Sequence, residues 1–125
     1  MLGQARYKYN ADWNLEGAKC SLRNNQYDAA IAQSDRTIAD QQNMASSTRG
    51  KRVLVAYKIK ARARTKLYDV DAKKNAGFGD ERLLNYGIMA WEEVRNYARG
   101  VGDSGAVSEA EREIADLEQR RAPKD

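Results

Sequence analysis

The chain has 125 residues and a net charge of +4, with a single cysteine and no histidine. The length suits one domain, and the composition excludes histidine-based acid–base catalysis, Cys/His zinc sites and an intrachain disulfide. One proline and nine glycines are too few for a sandwich with many turns, so the composition favours helices. The longest apolar run, residues 53–57, is too short to cross a membrane.

The first predicted helix runs from about residue 11 to residue 24, with Asn10 expected as its N-cap. One apolar stripe on this helix consists of Ala11, Leu15, Ala18 and Leu22. A second stripe consists of Trp13, Gly17 and Cys20. A helix with two apolar stripes packs against neighbours on both sides. We therefore expect Cys20 to be a buried structural thiol rather than a nucleophile.

Two more helices are predicted before a clear break in the pattern. The second covers about residues 27–41, with apolar or small residues spaced three and four apart: Ala30, Ile31, Ser34, Thr37 and Ile38. The third is the longest, from about residue 49 to residue 74. Its two stripes are Ala56, Ile59, Ala63, Leu67 and Val70, and Val53, Tyr57, Ala61 and Tyr68. Residues 75–80 contain two glycines and an asparagine, which disfavour a helix.

The last two predicted helices cover about residues 81–99 and 103–121. Asp80 is well placed to cap the fourth helix, and Gly100 and Gly102 are typical of its C-terminal end. The predicted buried face of this helix consists of Leu84, Gly87, Ile88, Trp91, Val94 and Ala98. The fifth carries a stripe of Val107, Ala110, Ile114 and Leu117. No segment alternates as a half-buried strand does, so the predicted fold class is all-α, with five helices.

Residues 11–41 resemble a tetratricopeptide repeat, a helix–turn–helix unit of about 34 residues. The likeness is carried by Trp13 and the small pair at 17–18 in the first helix, and by an aromatic, small residues and Ile at 27–31 in the second. The spacing of Ala30, Ile31 and Ser34 recurs at Gly87, Ile88 and Trp91. An unrelated helical bundle is the alternative, since it would bury the same core.

The resemblance implies a single helical domain over residues 1–125. Its parts would be a first repeat at 11–41, a lengthened second repeat at 49–99 and a capping helix at 103–121. Two repeats and a cap are few, because such units generally need about three copies to bury a continuous core. A homodimer, an edge shielded by the fifth helix, or a fragment of a longer array would each meet this need.

Charge is distributed unevenly along the chain. Residues 49–74 carry ten basic and two acidic side chains, whereas residues 75–125 carry seven and eleven. In the third helix Lys51, Lys58 and Arg62 lie at i, i+7 and i+11 and share a polar face, which Lys66 flanks and Tyr57 borders. The resemblance implies that this face lines a peptide-binding groove, whose natural ligand would be an acidic or C-terminal-carboxylate peptide. A solvated face, neutralised by acidic residues elsewhere, is the alternative.

The function expected from these features is that of a non-catalytic protein-interaction module or scaffold, with no cofactor and no metal. The alternative is a binder of nucleic acid or another anionic surface through the third helix, which is disfavoured by the acidic C-terminal third and the absence of a recognition motif. One unpaired cysteine and no signal-peptide core fit the cytoplasm. Residues 90–94 and 110–114 are similar to tetratricopeptide segments of bacterial cell-envelope proteins, which leaves a periplasmic location open.

Overall fold

The computed structural model describes the backbone of residues 2–121 and the side chains of residues 10–121. This part of the chain is all-helical, as predicted, and contains no β-strand. The helices are α1 Leu2–Arg23, α2 Tyr27–Ala39, α3 Ser46–Lys74, α4 Glu81–Val101 and α5 Ser104–Gln119. A short 3₁₀ turn, Gln41–Asn43, lies between α2 and α3.

The start of α1 differs from the prediction. The helix begins at Leu2 rather than near residue 11, so Asn10 lies inside it and the prediction of Asn10 as an N-cap is wrong. Residues 2–10 contain no proline and a single glycine. Most residue types cost less than about 0.7 kcal/mol each inside a helix, so the polarity of this segment is not enough to end it.

The two stripes of α1 have different environments. Ala11, Leu15 and Ala18 of the first stripe are buried, as predicted. The burial predicted for the second stripe is wrong, because Trp13 is 81% exposed and Cys20 is exposed. Between them, Gly17 faces the side chain of Gln33, and a Cβ at residue 17 would lie 2.7 Å from that residue's Nε2. At this point α2 therefore makes a polar contact with α1. The side chain of Trp13 remains in solvent.

The chain divides into two compact units, residues 1–63 and residues 64–125. Their boundary lies inside α3. The first unit contains α1, α2 and the N-terminal part of α3. Its core consists of small and aliphatic residues from all three helices: Ala11, Leu15, Ala18, Ala30, Ile31, Val53, Leu54, Ala56, Ile59, Ala61 and Ala63. The division into two repeats and a cap stays a prediction.

The second unit contains the C-terminal part of α3 together with α4 and α5, which pack against each other. The six residues predicted for the buried face of α4 are all buried. Trp91 is the largest of them, with 2% of its surface exposed, and its indole Nε1 donates a hydrogen bond of 3.0 Å to Thr65 Oγ1. Gly87 lies opposite Leu117, and a Cβ at residue 87 would be in ordinary van der Waals contact with a methyl group of Leu117, at 3.5 Å.

The caps predicted for the two ends of α4 are confirmed. Asp80 accepts a hydrogen bond of 2.8 Å from the backbone amide of Arg82, and this bond, with one from the same residue's guanidinium, lowers the pKa of the Asp80 carboxyl. α4 ends at Gly102, which has the left-handed φ of 74° that favours glycine. Asp103 caps α5 by accepting from the amide of Ala106 at 3.0 Å.

Replacing Trp91 tests the core of the second unit. We expect Trp91→Ala to lower the free energy of unfolding by about 3–5 kcal/mol, because it leaves a cavity and removes the partner of Thr65. Trp91→Phe fills most of the space and should cost less, since its main loss is one hydrogen bond worth about 1 kcal/mol. Urea unfolding followed by circular dichroism measures both. A loss below about 1 kcal/mol for the alanine variant would contradict a buried indole.

The cap at Asp80 predicts a dependence of stability on pH. Because folding lowers the pKa of this carboxyl, its contribution is complete above the unfolded value near about 4 and is lost as pH falls through the folded value. Asp80→Ala should therefore lower the melting temperature at neutral pH, and the difference from the wild type should narrow below about pH 4. Asp80→Asn, which keeps an accepting oxygen, serves as the matched control. A difference independent of pH would contradict the role of the charged carboxylate.

Candidate functional site

The N-terminal two thirds of α3 hold the greatest concentration of positive charge in the chain. Eight basic residues and no acidic residue lie from Arg49 to Lys66. Like charges four residues apart on a helix repel, so such a block is tolerated only where its members reach opposite charges or solvent. The contacts of each cation therefore show where the fold places it.

Four of the eight cations make contacts within their own unit that serve the fold. These are Arg49, which donates to the carbonyls of Gln42 (3.1 Å) and Met44 (2.9 Å), Arg52 on Asp12 (2.6 Å), Lys60 on Asp35 (3.0 Å), and Arg64 over the ring of Tyr86 (5.2 Å). Arg49 connects α3 to the link before it, Arg52 connects it to α1, and Lys60 connects it to α2.

The other four are the cations that the sequence singled out, namely Lys51, Lys58, Arg62 and Lys66, and of these Lys58 and Arg62 also have interaction partners within the chain. In the first unit, Lys51 and Arg62 are exposed and Lys58 is half-buried. Their spacing of seven and four residues places them on one arc of the helix, within about 17 Å along its axis. We call these three residues the basic strip. Lys66 is also exposed but belongs to the second unit, and it is not counted in the strip.

The rest of the helix surface beside the strip is packed. Val53, Leu54, Ala56, Ile59 and Ala61 are all buried, and they occupy the remaining directions around α3. Tyr57, the fifth predicted site residue, is half-buried. It lies about 100° around the helix from Lys58, so it stands beside the strip rather than on it. The cations thus occupy the arc of α3 that the core leaves open.

An exposed tryptophan of α1 lies at the same level of the first unit as one end of the strip. Asp12 of α1 and Arg52 of α3 form an ion pair of 2.6 Å, which fixes these two positions side by side. Trp13 follows the first of them and Lys51 precedes the second, so the exposed indole and the first cation of the strip stand at the same level of the first unit. The arrangement combines positive charge with an apolar anchor, a pairing common at the energetic centres of protein interfaces.

Sequence reasoning placed Trp13 in the core and so missed it as a surface residue. The signal that could have found it is the composition of its stripe. Gly17 and Cys20 add little apolar area, and the next position, Asn24, is polar. A stripe with one large apolar side chain gains less from burial than the stripe of Leu15, because burial energy scales with apolar area.

A shallow pocket of about 340 Å³ opens in the second unit at the turn between α4 and α5. Its lining includes Arg99, which pairs with Glu111 at 3.1 Å, and Asp103, which caps α5. The charged groups of this pocket are thus engaged by the fold, and the basic strip with Trp13 is the better candidate for a binding site.

The exposure of Trp13 predicts that it contributes little to stability. Trp13→Ala should change the free energy of unfolding by less than about 0.5 kcal/mol, as is usual for exposed positions. In the folded protein, the Trp91→Phe variant retains only Trp13, whose fluorescence should be red-shifted and readily quenched by acrylamide. The Trp13→Phe variant, which retains only Trp91, should emit at shorter wavelength and resist quenching. Similar quenching of the two indoles would contradict this placement.

No family model, curated protein or solved structure matches the chain. Within residues 2–121, no helix has the length and apolar character needed to cross a lipid bilayer. Among the described side chains, no three His, Cys, Asp or Glu residues are grouped as the ligands of a metal ion would be. The basic strip and Trp13 therefore carry the functional argument.

Proposed function

We propose that the chain is a non-catalytic protein-interaction module, built from tetratricopeptide-like helix pairs, which binds an acidic segment of a partner protein along the basic strip. The observation that carries this proposal is the confinement of Lys51, Lys58 and Arg62 to one arc of α3, while the other directions around the helix are packed. A partner helix or extended segment with carboxylates spaced to match would gain charge-assisted hydrogen bonds.

The helix pairs support the repeat interpretation. α1 and α2 pack against each other and are joined by a three-residue link, residues 24–26. The small residue and the isoleucine that carry the resemblance, Ala30 and Ile31, are buried, and so is the corresponding pair at Gly87 and Ile88. Trp13 departs from the pattern, since an exposed aromatic does not hold the repeat together. Its exposure adds an apolar contact to the proposed site.

A protein ligand fits the strip better than a nucleic acid does. Three cations over about 17 Å neutralise few phosphates, and nucleic-acid affinity at physiological salt depends on the number neutralised. The described side chains include one exposed tryptophan beside the strip, which suits an apolar side chain of a protein partner. A segment that combines glutamates or aspartates with one large apolar residue is the expected ligand.

Reversing the charge of the strip tests the proposal. The probe is a fluorescein-labelled helical peptide with glutamates at i, i+7 and i+11, and binding is measured by fluorescence anisotropy. We expect Lys58→Glu together with Arg62→Glu to weaken binding by about tenfold or more, because two attractions become repulsions. The far-ultraviolet circular dichroism should remain that of the wild type.

Two controls separate the site from total charge. Lys73→Glu with Lys74→Glu makes the same change in net charge at exposed positions at the end of α3, and it should leave binding intact. A scrambled peptide of the same composition should bind more weakly than the matched one. Equal binding by both double variants would place the site elsewhere. Retention on heparin that survives about 150 mM salt would instead favour the anionic-surface alternative.

A further inference from the structure

The C-terminal end of α3 leads into an exposed turn that carries a phenylalanine. Six consecutive residues, 73–78, are all exposed, and 63% of the surface of Phe78 is in contact with solvent. A Cβ added at Gly77 would meet no other group within 4 Å, so the space beside the turn is open. Removing a ring of this size from water is favourable, so a surface that covered Phe78 would gain binding energy from it.

Hydrogen bonds hold the backbone of this turn on both sides of the ring. Before it, the amide of Gly77 donates to the carbonyl of Ala72 at 2.8 Å, which folds the chain back onto the last turn of α3. After it, the amide of Asp80 donates to the carboxylate of Asp71 at 2.6 Å. Phe78 is therefore presented to solvent by a backbone that is fixed at two points.

Three exposed lysines lie on the last three turns of α3, just before this turn of the chain. They are Lys66, Lys73 and Lys74, and none of them pairs with a carboxylate among the described side chains. Lys66 and Lys73 lie seven residues apart on one face of the helix, and Val70, which is 43% exposed, lies between them. We call these four residues together with Phe78 the lysine–phenylalanine patch. All of it belongs to the second unit.

The carboxylates close to the patch in the chain are engaged by the fold. Asp69 and Glu81 each pair with an arginine that follows the last residue of α5. Asp80 pairs with Arg82 at 3.3 Å. Asp71 has no cation among these partners, and it accepts the backbone hydrogen bond that holds the turn. Three of these four negative charges are thus offset, and the three lysines outweigh the fourth.

We infer that the lysine–phenylalanine patch binds the surface of a membrane that contains anionic lipids. Each lysine close to such a surface strengthens binding by about fivefold, and three give about a hundredfold. The phenylalanine ring adds apolar area that enters the boundary between headgroups and acyl chains. This inference goes beyond the proposed function, which concerns the basic strip of the first unit.

The shape of the patch favours a membrane over a peptide as the ligand. A peptide is generally held in a groove, where pockets enclose its anchoring side chains. Here the aromatic ring stands on a turn whose neighbours from residue 73 onward are all exposed, so the protein itself supplies the anchor. A ring on an exposed turn with lysines before it matches a broad anionic surface that can receive the ring and still reach the ammonium groups.

Co-sedimentation with sucrose-loaded vesicles tests the inference on the full chain. The vesicles consist of phosphatidylcholine, either alone or with about 30% phosphatidylserine. We expect binding to the anionic vesicles and little binding to the neutral ones. Lys73→Glu with Lys74→Glu should weaken binding by at least about twentyfold, because two attractions of about fivefold are removed. Phe78→Ala should weaken it by about fivefold or more, since less apolar area enters the interface.

Three further variants separate the patch from total charge and from loss of folding. Arg23→Glu with Arg36→Glu makes the same change in net charge at exposed positions of the first unit, and it should leave vesicle binding intact. Lys73→Arg with Lys74→Arg keeps the charge, and Phe78→Trp keeps an aromatic ring, so both should bind as the wild type does. Far-ultraviolet circular dichroism of every variant should match that of the wild type.

Four results would overturn the inference. They are equal binding to anionic and neutral vesicles, an equal loss in the two charge-reversed variants, and full binding by Phe78→Ala. The fourth is retention on heparin at about 150 mM salt that depends on Lys73 and Lys74 but not on Phe78, which would favour a polyanion such as nucleic acid. The proposed function is unaffected by any of them, because peptide binding by the basic strip is measured separately.

Discussion

Burial of α3 around most of its circumference is the constraint on which the rest of the structure depends. Its core residues in the first unit leave one open arc, and in the second unit Tyr68 of the same helix is buried as well. A cation cannot enter such packing without a large desolvation cost. The positive charge of α3 is therefore confined by the packing to positions from which it reaches a carboxylate, a carbonyl, an aromatic ring or solvent.

Local signals predicted most of the helices and their ends. The three-and-four spacing identified the buried face of α4 completely, and Asp80 and Gly102 marked its two ends, because capping and periodicity depend on residues close together in the chain. The spacing of the basic strip was predicted for the same reason. These signals identify which residues share one face of a helix, because the periodicity of a few helical turns determines that.

Apart from the start of α1, the errors concern contacts with residues distant in the chain. Whether a stripe is covered depends on which helix lies opposite it, and at Gly17 the Trp13 stripe of α1 meets the polar side chain of Gln33. The pairing of Arg52 with Asp12 and of Lys60 with Asp35 also joins separate helices. Local spacing does not show which carboxylate a cation of α3 reaches, so these partners required the tertiary structure.

The C-terminal end of α5 is held by two adjacent arginines. Arg120 contacts Asp69 of α3 and Asp116 of its own helix, and Arg121 contacts Glu81 of α4. These pairs join α5 to both other helices of the second unit close to the last residues that the structure describes. The two arginines thus connect the last turn of α5 to two different helices.

The exposure of Cys20 gives the chain an intrinsic chemical handle. It is the single thiol of the sequence, and it lies seven residues after Trp13, two turns along the same face of α1. A nitroxide or maleimide fluorophore attached to this sulfur would be placed at a unique position without any substitution. Distances from such a label to a labelled partner would map what approaches the face of α1 in the unmodified sequence.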